Sequence, residues 1–350
     1  MTDAATAIAQ RLLAMRAQRQ RARPLVRRHR FAAAALAVWL GGLITSPVAA
    51  ISDPLSLEEA LETAASHPRV TASADLNARL PRRQSLFLDC QRLAFSNSNV
   101  ADPNRNQPLL HLLEPQDAQR LEIMERFFDV LLADATFATD SEAMAVAYIQ
   151  FDRAAVRHEL GQMSPLRVLE LESIYQDILH RRAASETSQQ LTRALLAQAL
   201  GNPQDLPRTL IIPALPVWPT EPPSLERILD LAAQRPPLRA LLDGRSTADR
   251  QLVQWELRQQ TLELLLRLRA FTAAERNLRT ETRLRDLKLD ESRTLYEQEV
   301  TADLGYSMSL QSQTRLQTER LRYCRALTWA ELNALIGGPI LGTAAGVSAP

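Results

Sequence analysis

Long stretches of this chain repeat apolar residues at alternating spacings of three and four, a pattern typical of amphipathic helices that pack side by side. From Leu121 to Val156, nine of the eleven positions in this register are apolar, the exceptions being Glu142 and Asp152. The register predicts a helix over 118–160 that packs as a coiled coil. The break at 161–165 is so short that the next helix, predicted over 166–200, must return antiparallel.

The second half of the chain repeats this arrangement. Residues 248–299 form a nearly unbroken helical pattern, a break follows near 301–305, and a return helix is predicted to end at Ile336. Between the halves, residues 203–223 hold seven prolines in 21 positions, which excludes a continuous helix there. Two long antiparallel helical hairpins joined by an extended linker are therefore expected.

Short sequences that open and close each half indicate an internal duplication. SLEEALETAASHPRV begins at Ser56 and SLERILDLAAQRPPL begins at Ser224, 168 residues later. ALLAQALG ends at Gly201 and ELNALIG ends at Gly337, an offset of only 136, so the second half is 32 residues shorter. The predicted organisation is a first repeat over 51–202, a proline-rich linker over 203–223, a second, shortened repeat over 224–338 and a C-terminal tail over 339–350.

The first fifty residues have the composition of a secretory signal peptide. Residues 1–30 carry eight arginines and one acid, an uncharged and mostly apolar run of 14 residues follows from Phe31, and Val48 and Ala50 suit signal-peptidase cleavage. The pattern predicts a cleaved signal over 1–50. A membrane anchor, a twin-arginine signal at 27–28 and a translation start at Met15 are the alternatives. A span needs about 20 apolar residues, and no later stretch approaches that length.

Composition and charge narrow the class of protein. Only 5% of residues are aromatic and ten are glycine, while 46% are apolar, which favours long helices over β-sandwiches and glycine-rich nucleotide folds. The 41 basic and 40 acidic residues leave a net charge of +1, and cleavage after Ala50, which removes eight Arg and one Asp, leaves 1 − 7 = −6. This balance indicates no nucleic-acid partner.

The sequence contains no recognisable catalytic or metal-binding motif. The five histidines are scattered, and HExxH, G-x-S-x-G and P-loop patterns are missing. His158 and His180 lie on opposite arms of the first hairpin and are interpreted as two surface histidines rather than as metal ligands. We therefore expect no enzyme, no catalytic residue, no cofactor and no metal site.

Taken in order, four sequences resemble the TolC family of bacterial outer-membrane efflux proteins: the SLEEAL…HP opening, FFDVLLAD in the long helix, the turn LGQMSPLRVLELES and the ALG close. With their second-half counterparts they cover most of 55–338. The resemblance implies a mainly α fold, with two long antiparallel helical hairpins in a duplicated protomer of a trimeric α-barrel. It also implies export to the outer membrane or periplasm of a Gram-negative bacterium, and partnership with a periplasmic adaptor and an inner-membrane pump. The substrates would be drugs, metals or secreted proteins.

The chain departs from the family in its strands and cysteines. Family members insert a two-stranded hairpin in each half. The first half has room for one between Ala78 and Pro115, expected over 85–97, whereas the second half offers only 242–246. The β-barrel strands are therefore expected to be reduced or absent.

The family template places Cys90 and Cys324 at different levels of the protein, so two free thiols are expected. If the pore is lost, the alternative function is that of a periplasmic coiled-coil structural or adaptor-like protein.

The candidate functional positions are the hairpin tips. In the family an acidic residue after each turn lines a constriction, but here the matching positions hold Arg167 and Gly305, so an acidic ring is not carried over. Asp303 is interpreted as the N-cap of the return helix, with a role as a substitute gate as the alternative. The tip residues expected to dock an adaptor are Gly161, Ser164, Pro165, Leu166, Arg167, Thr301, Asp303 and Gly305.

Overall fold

The computed structural model describes residues 51–80, 82, 83, 85–95, 108–219, 221–298 and 304–342, so the predicted signal segment lies outside them. The structure is 77% helical, which confirms the expected mainly α fold. Its helices are α1 (Leu57–Glu62), α2 (Pro68–Thr71), α3 (Ala74–Arg79), α4 (Cys90–Phe95), α5 (Pro115–Glu159), α6 (Pro165–Ala199), α7 (Leu225–Ala233), α8 (Pro236–Leu242), α9 (Thr247–Glu297) and α10 (Leu304–Ile336). Short 3₁₀ turns occur at Thr63–Ser66 and Pro108–Leu112.

Local signals in the sequence set the ends of the long helices. Pro115 and Pro165 occupy first-turn positions where a missing N–H is harmless, and the Ser164 side chain caps α6. At α9, Ser246 and Asp249 cap each other's backbone N–H groups in a capping box. Gly161, just past α5, has φ of +70°, which a glycine adopts without strain. The predicted ends therefore lie within a few residues of the observed ones.

The four long helices form an open layer. Helix α6 packs on α5, α5 packs on α10, and α10 packs on α9, in that spatial order. Each hairpin, α5 with α6 and α9 with α10, is antiparallel as predicted. Within the part of the chain that the structure describes, α6 and α9 do not pack extensively on each other. The layer therefore has two edges, the outer faces of α6 and of α9.

The predicted register of buried apolar residues on α5 is confirmed in the first half of the helix and is wrong in the second half. Leu121, Met124 and Phe128 are buried, but further along Ile149 and Val156 are about half exposed. The buried stripe has moved to Thr139, Ala143, Ala147 and Ala154. A straight helix has 3.6 residues per turn, so a strict 3.5 register drifts by about 20° per heptad. Because α5 lies between two neighbours, it is not wound into a two-stranded coil.

The strand hairpin expected over 85–97 is wrong in the part that the structure describes. Residues 85–89 form a loop and α4 begins at Cys90, while 96 and 97 lie outside the described ranges. Among the described residues the only β-type pairing is an isolated parallel bridge between Leu55 and Leu210. In the second half, α8 and α9 are joined directly by 243–246.

Equivalent residues of the two halves adopt equivalent structures. Ser56 and Ser224 each cap the short helix that follows. Gly201 and Gly337 each end a long return helix with positive φ, +84° and +79°. The residue preceding the proline of the second short helix lies against that glycine in both halves, His67 on Gly201 and Arg235 on Gly337. The internal duplication is thus visible in the packing.

No helix in the described ranges combines the length and the hydropathy needed to cross a bilayer. Nor do the described residues contain a group of three or more side chains positioned to hold a metal ion.

Candidate functional site

The first hairpin tip has the turn chemistry expected from the sequence and an apolar surface. The Ser164 hydroxyl accepts from the N–H of Arg167 at 3.3 Å, and His158 donates from Nδ1 to the carbonyl oxygen of Met163 at 2.8 Å. Arg167 pairs with Glu170 at 2.8 Å on the exposed surface. Apolar side chains around this turn are more than 60% exposed: Leu160, Leu166 and Leu169. An apolar tip of this kind is a candidate contact surface.

The start of α10 is not at the level of the first tip. Thr301 and Asp303 lie outside the described residues, so neither the cap nor the gate interpretation of Asp303 is tested. Gly305 lies in the first turn of α10 and packs against Val146 of α5. Val146 precedes the end of α5 by about thirteen residues, so the first hairpin extends roughly 20 Å beyond the start of α10. Gly305, the described member of the second tip group, therefore does not lie beside the first tip.

Gly305 is a close-packing position. A Cβ there would lie 2.9 Å and 3.0 Å from the two methyl groups of Val146. We expect Gly305→Ala to lower the free energy of unfolding by about 1–2 kcal/mol, because a branched valine has no room to move aside. In the Val146→Ala background the same substitution should cost about 1 kcal/mol less, measured by urea unfolding as a double-mutant cycle. The exposed Val156→Ala provides the matched control background. Equal costs of Gly305→Ala in the parent, Val146→Ala and Val156→Ala backgrounds would contradict this packing.

A second cluster lies where the strand hairpin was expected, and we call residues 85–91 the strap. The Asp129 carboxylate of α5 is fully buried and accepts hydrogen bonds from the Ser85 hydroxyl and from three backbone N–H groups, those of Leu86 (2.9 Å), Phe87 (3.0 Å) and Leu88 (3.2 Å). Arg126 pairs with the same carboxylate at 3.4 Å. A buried carboxylate needs this many donors, because an unpaired charge in the interior is very costly.

The strap continues from α5 onto α10 and α9. Arg320 of α10 donates to the carbonyl oxygen of Leu88 at 2.9 Å, and Gln91 donates to Glu263 of α9. Cys90 and Cys324 form a disulfide with their Cα atoms 5.3 Å apart, so the expectation of two free thiols is wrong. The expectation assumed that Cys90 lies in a strand beyond the helices. The segment instead folds down onto the helical layer and reaches α10.

Two acidic side chains meet between α5 and α10 beside this cluster. Glu125 and Glu331 are largely buried, and Glu331 pairs with Arg267 at 2.6 Å. Burial raises the pKa of Glu125 to about 8, and the nearby charges of Asp129 and Glu331 act in the same direction. Burial also raises the pKa of Glu331, against the opposing effect of Arg267. Glu125 therefore carries a proton at neutral pH.

This protonation makes stability depend on pH. Glu125 has a pKa near 4.5 in the unfolded chain and about 8 in the folded chain. Its contribution to the free energy of unfolding is therefore complete below pH 4.5 and is lost as pH rises through 8. We expect the free energy of unfolding to fall by about 2 kcal/mol across this window, less than the full shift implies because the side chain is still 17% exposed. Urea unfolding of Glu125→Gln should show a flatter profile than the parent. The exposed Glu170→Gln should keep the parent profile, and an unchanged slope in Glu125→Gln would contradict the assignment.

The two edges of the layer carry different side chains on a single face each. At 100° per residue, the exposed leucines of α9 and Trp255 lie within an arc of about 100°. We call them the α9 stripe: Leu252, Trp255, Leu262, Leu266, Leu284 and Leu287. The outer face of α6 beyond the tip carries mostly small and polar side chains, and we call it the α6 face: Ser173, Gln176, His180, Ala184, Thr187 and Leu191. The two edges therefore differ in the size and polarity of their side chains.

Sequence reasoning missed the strap and the α9 stripe for different reasons. Asp129 gave a signal, since it is the single charge inside the apolar run FFDVLLA. Its partners lie more than forty residues away, and no local pattern connects them. The apolar residues of the α9 stripe recur at helical spacing in the sequence, but so do those on the face of α9 that packs on α10. Only the packing shows which of the two faces is covered.

Comparison with known proteins supports the fold. No family model and no curated protein matches this sequence. A crystal structure of CusC, from work on folding and transmembrane channel formation, aligns with a TM-score of 0.52 at 14% identity, over 81% of this chain and 97% of that chain. A membrane protein from Pseudomonas aeruginosa aligns at 13% identity over 89% and 100% of the two chains (TM-score 0.41). The outer membrane protein VceC from Vibrio cholerae aligns at 11% identity over 81% and 96% (TM-score 0.43). The resemblance to the TolC family is confirmed as a likeness of fold.

Proposed function

We propose that this chain is the protomer of a TolC-like component of an efflux or type I secretion system, which passes substrates through a trimeric helical tunnel. The observation that carries the proposal is the open layer of four long helices with two uncovered edges. Three copies would supply twelve long helices and leave no edge uncovered. The function is assembly and passage rather than catalysis.

The chemistry of the edges supports this assembly. Apolar side chains of the α9 stripe, including Leu252 and Trp255 at 60% and 65% exposure, are costly to leave in water. The α6 face offers small and polar residues, against which the large side chains of a second copy would pack. The two edges differ, so the contact is heterologous, and rotation about a common axis closes it into a ring.

The location and the partners follow from the same proposal. A disulfide persists in an oxidising compartment such as the periplasm, which agrees with the predicted signal peptide. The protein would lie in the periplasm or at the outer membrane. The first tip, with Leu160, Leu166 and Leu169 exposed, is the proposed docking surface for the helical hairpin of a periplasmic adaptor that delivers substrates from an inner-membrane pump.

Charge substitutions on the α9 stripe test the proposal. We expect Leu262→Glu combined with Leu266→Glu to abolish self-association and leave the helix content unchanged, because both side chains are more than a third exposed in the single chain. Light scattering of the mature protein at micromolar concentration measures the mass, and circular dichroism checks the fold. Val217→Glu is the matched control, since Val217 is 91% exposed but lies in the linker. A parent protein that stays monomeric, or a variant that assembles normally, would count against the trimer.

A second candidate function is that of a periplasmic coiled-coil structural or adaptor-like protein that has lost the pore. The specific observation that favours it is the direct connection of α8 to α9 by residues 243–246, where the family inserts two strands. Planar-bilayer recording with the assembled mature protein distinguishes the two functions. Reproducible unit conductance steps support the tunnel, and their absence from a confirmed trimer supports the structural role.

A further inference from the structure

The strap touches three of the four long helices. Asp129 of α5 holds its first residues, Arg320 and Cys324 of α10 hold its middle, and Glu263 of α9 binds Gln91. Leu88, at the centre of these contacts, is 1% exposed. The strap therefore crosses the joint between the first hairpin and the second.

Among the described parts of the long helices, the main contact across this joint is that of α5 with α10. Near the tips it consists of small or polar contacts, such as Gly305 on Val146 and Ser312 donating to Glu142 at 2.5 Å. Nearer the strap it buries the stacked rings of Phe128 and Tyr323, with centroids 4.6 Å apart, beside the acids Glu125 and Glu331. The tip end of the joint, which is made of small and polar side chains, resists rotation of one hairpin against the other less well than a continuous apolar seam would.

The linker clamps α10 from the opposite side. Arg320, which faces the strap, and Trp329 are nine residues apart and so lie on opposite faces of α10. Trp329 stacks on Trp218 of the linker with ring centroids 5.5 Å apart, and Arg322 donates to the carbonyl oxygen of Pro213 at 3.4 Å. Helix α10 therefore contacts the linker noncovalently on one face, and on the other face it is linked to the strap covalently by the disulfide.

We propose that the Cys90–Cys324 disulfide is a redox-dependent lock on assembly, which makes the chain competent to form a ring only after it reaches an oxidising compartment. The inference rests on the proposed ring, because it concerns the angle between the two hairpins. That angle sets the directions of the α6 face and of the α9 stripe. A ring of identical copies closes only if every protomer presents both edges in the same relative orientation.

The lock forms by thiol–disulfide exchange with a protein or small-molecule disulfide as the oxidant. The thiolate of one cysteine attacks a donor sulfur, which forms a mixed disulfide and releases one donor thiolate. The thiolate of the second cysteine attacks the mixed disulfide, which closes the Cys90–Cys324 bond and releases the second donor thiolate. The two cysteine protons end on the donor, which is reduced by two electrons. Cys90 and Cys324 are 8% and 0% exposed once the strap is docked, so exchange takes place before docking is complete.

The experiment compares the full mature chain refolded with oxidised glutathione and refolded with dithiothreitol. Light scattering over a concentration series gives the midpoint of assembly, and hydrogen exchange reports separately on the strap and on the long helices. We expect reduction to raise the midpoint at least about tenfold, with the strap amides losing their protection and the amides of α5 and α9 remaining protected, at the lower level set by the reduced stability. The Cys90→Ala, Cys324→Ala double variant should behave like the reduced chain and should not respond to dithiothreitol.

Three results would overturn the lock or its basis, and they can be told apart. Equal midpoints for the oxidised and reduced chains refute the lock and leave the proposed function standing. Loss of all measurable protection throughout the long helices on reduction shows that the disulfide only stabilises the fold. An oxidised chain that never assembles refutes the proposed ring itself, and the lock with it.

Discussion

Replacing both Cys90 and Cys324 by alanine is expected to lower the free energy of unfolding by about 5 kcal/mol. The two cysteines are separated by 234 residues, so the cross-link removes a very large set of conformations from the unfolded chain. Both side chains are buried, so their truncation adds a small packing loss. Guanidinium unfolding of the mature protein, followed by circular dichroism at a concentration where both proteins are monomeric, gives the difference.

A reductant supplies the control for this prediction. The parent protein unfolded and refolded in dithiothreitol should match the double variant to within about 1 kcal/mol, because both then lack the cross-link and differ only in two thiol groups. A double variant as stable as the oxidised parent would contradict the disulfide. If the double variant is less stable than the parent by a similar amount in oxidising and in reducing conditions, the effect comes from packing of the cysteine side chains instead.

Substitution of Asp129 is expected to have the second largest effect. Asp129→Ala should lower the free energy of unfolding by about 3–5 kcal/mol, because it leaves the N–H groups of the strap buried without their acceptor and removes one charged partner of the buried Arg126. Hydrogen exchange of Leu86, Phe87 and Leu88 should become much faster. Urea unfolding and exchange of the same sample measure both consequences.

Asp134 provides a matched comparison five residues along the same helix. Its carboxylate pairs with Arg193 at 2.8 Å, as well ordered as the Asp129 contacts, but the side chain is 37% exposed. Asp134→Ala should therefore cost about 1 kcal/mol or less and leave strap exchange unchanged. Equal losses for the two substitutions would show that burial of Asp129 does not decide its importance.

Much of the fold could be predicted because its signals are local. The prolines at 115 and 165, the serine caps and Gly161 act within one helical turn, so the helix ends could be inferred without knowledge of any neighbour. The duplication could be recognised for the same reason, since SLEEAL and SLERIL each specify a capped short helix at their own position. The docking role of the tip residues stays a prediction. The first turn was predicted correctly, but Gly305 proved to be a packing residue 20 Å or so behind it.

By itself, the sequence determined that this protein consists of two long antiparallel helical hairpins in duplicated halves, because helix periodicity, caps and turns depend on residues a few positions apart. Only the tertiary structure decided the shift of the buried stripe on α5, the binding of the strap by Asp129 and the pairing of Cys90 with Cys324. Those contacts join residues tens to hundreds of positions apart. An apolar period shows that a helix has a face to cover, but the packing of the two hairpins determines which neighbour covers it and which face stays open.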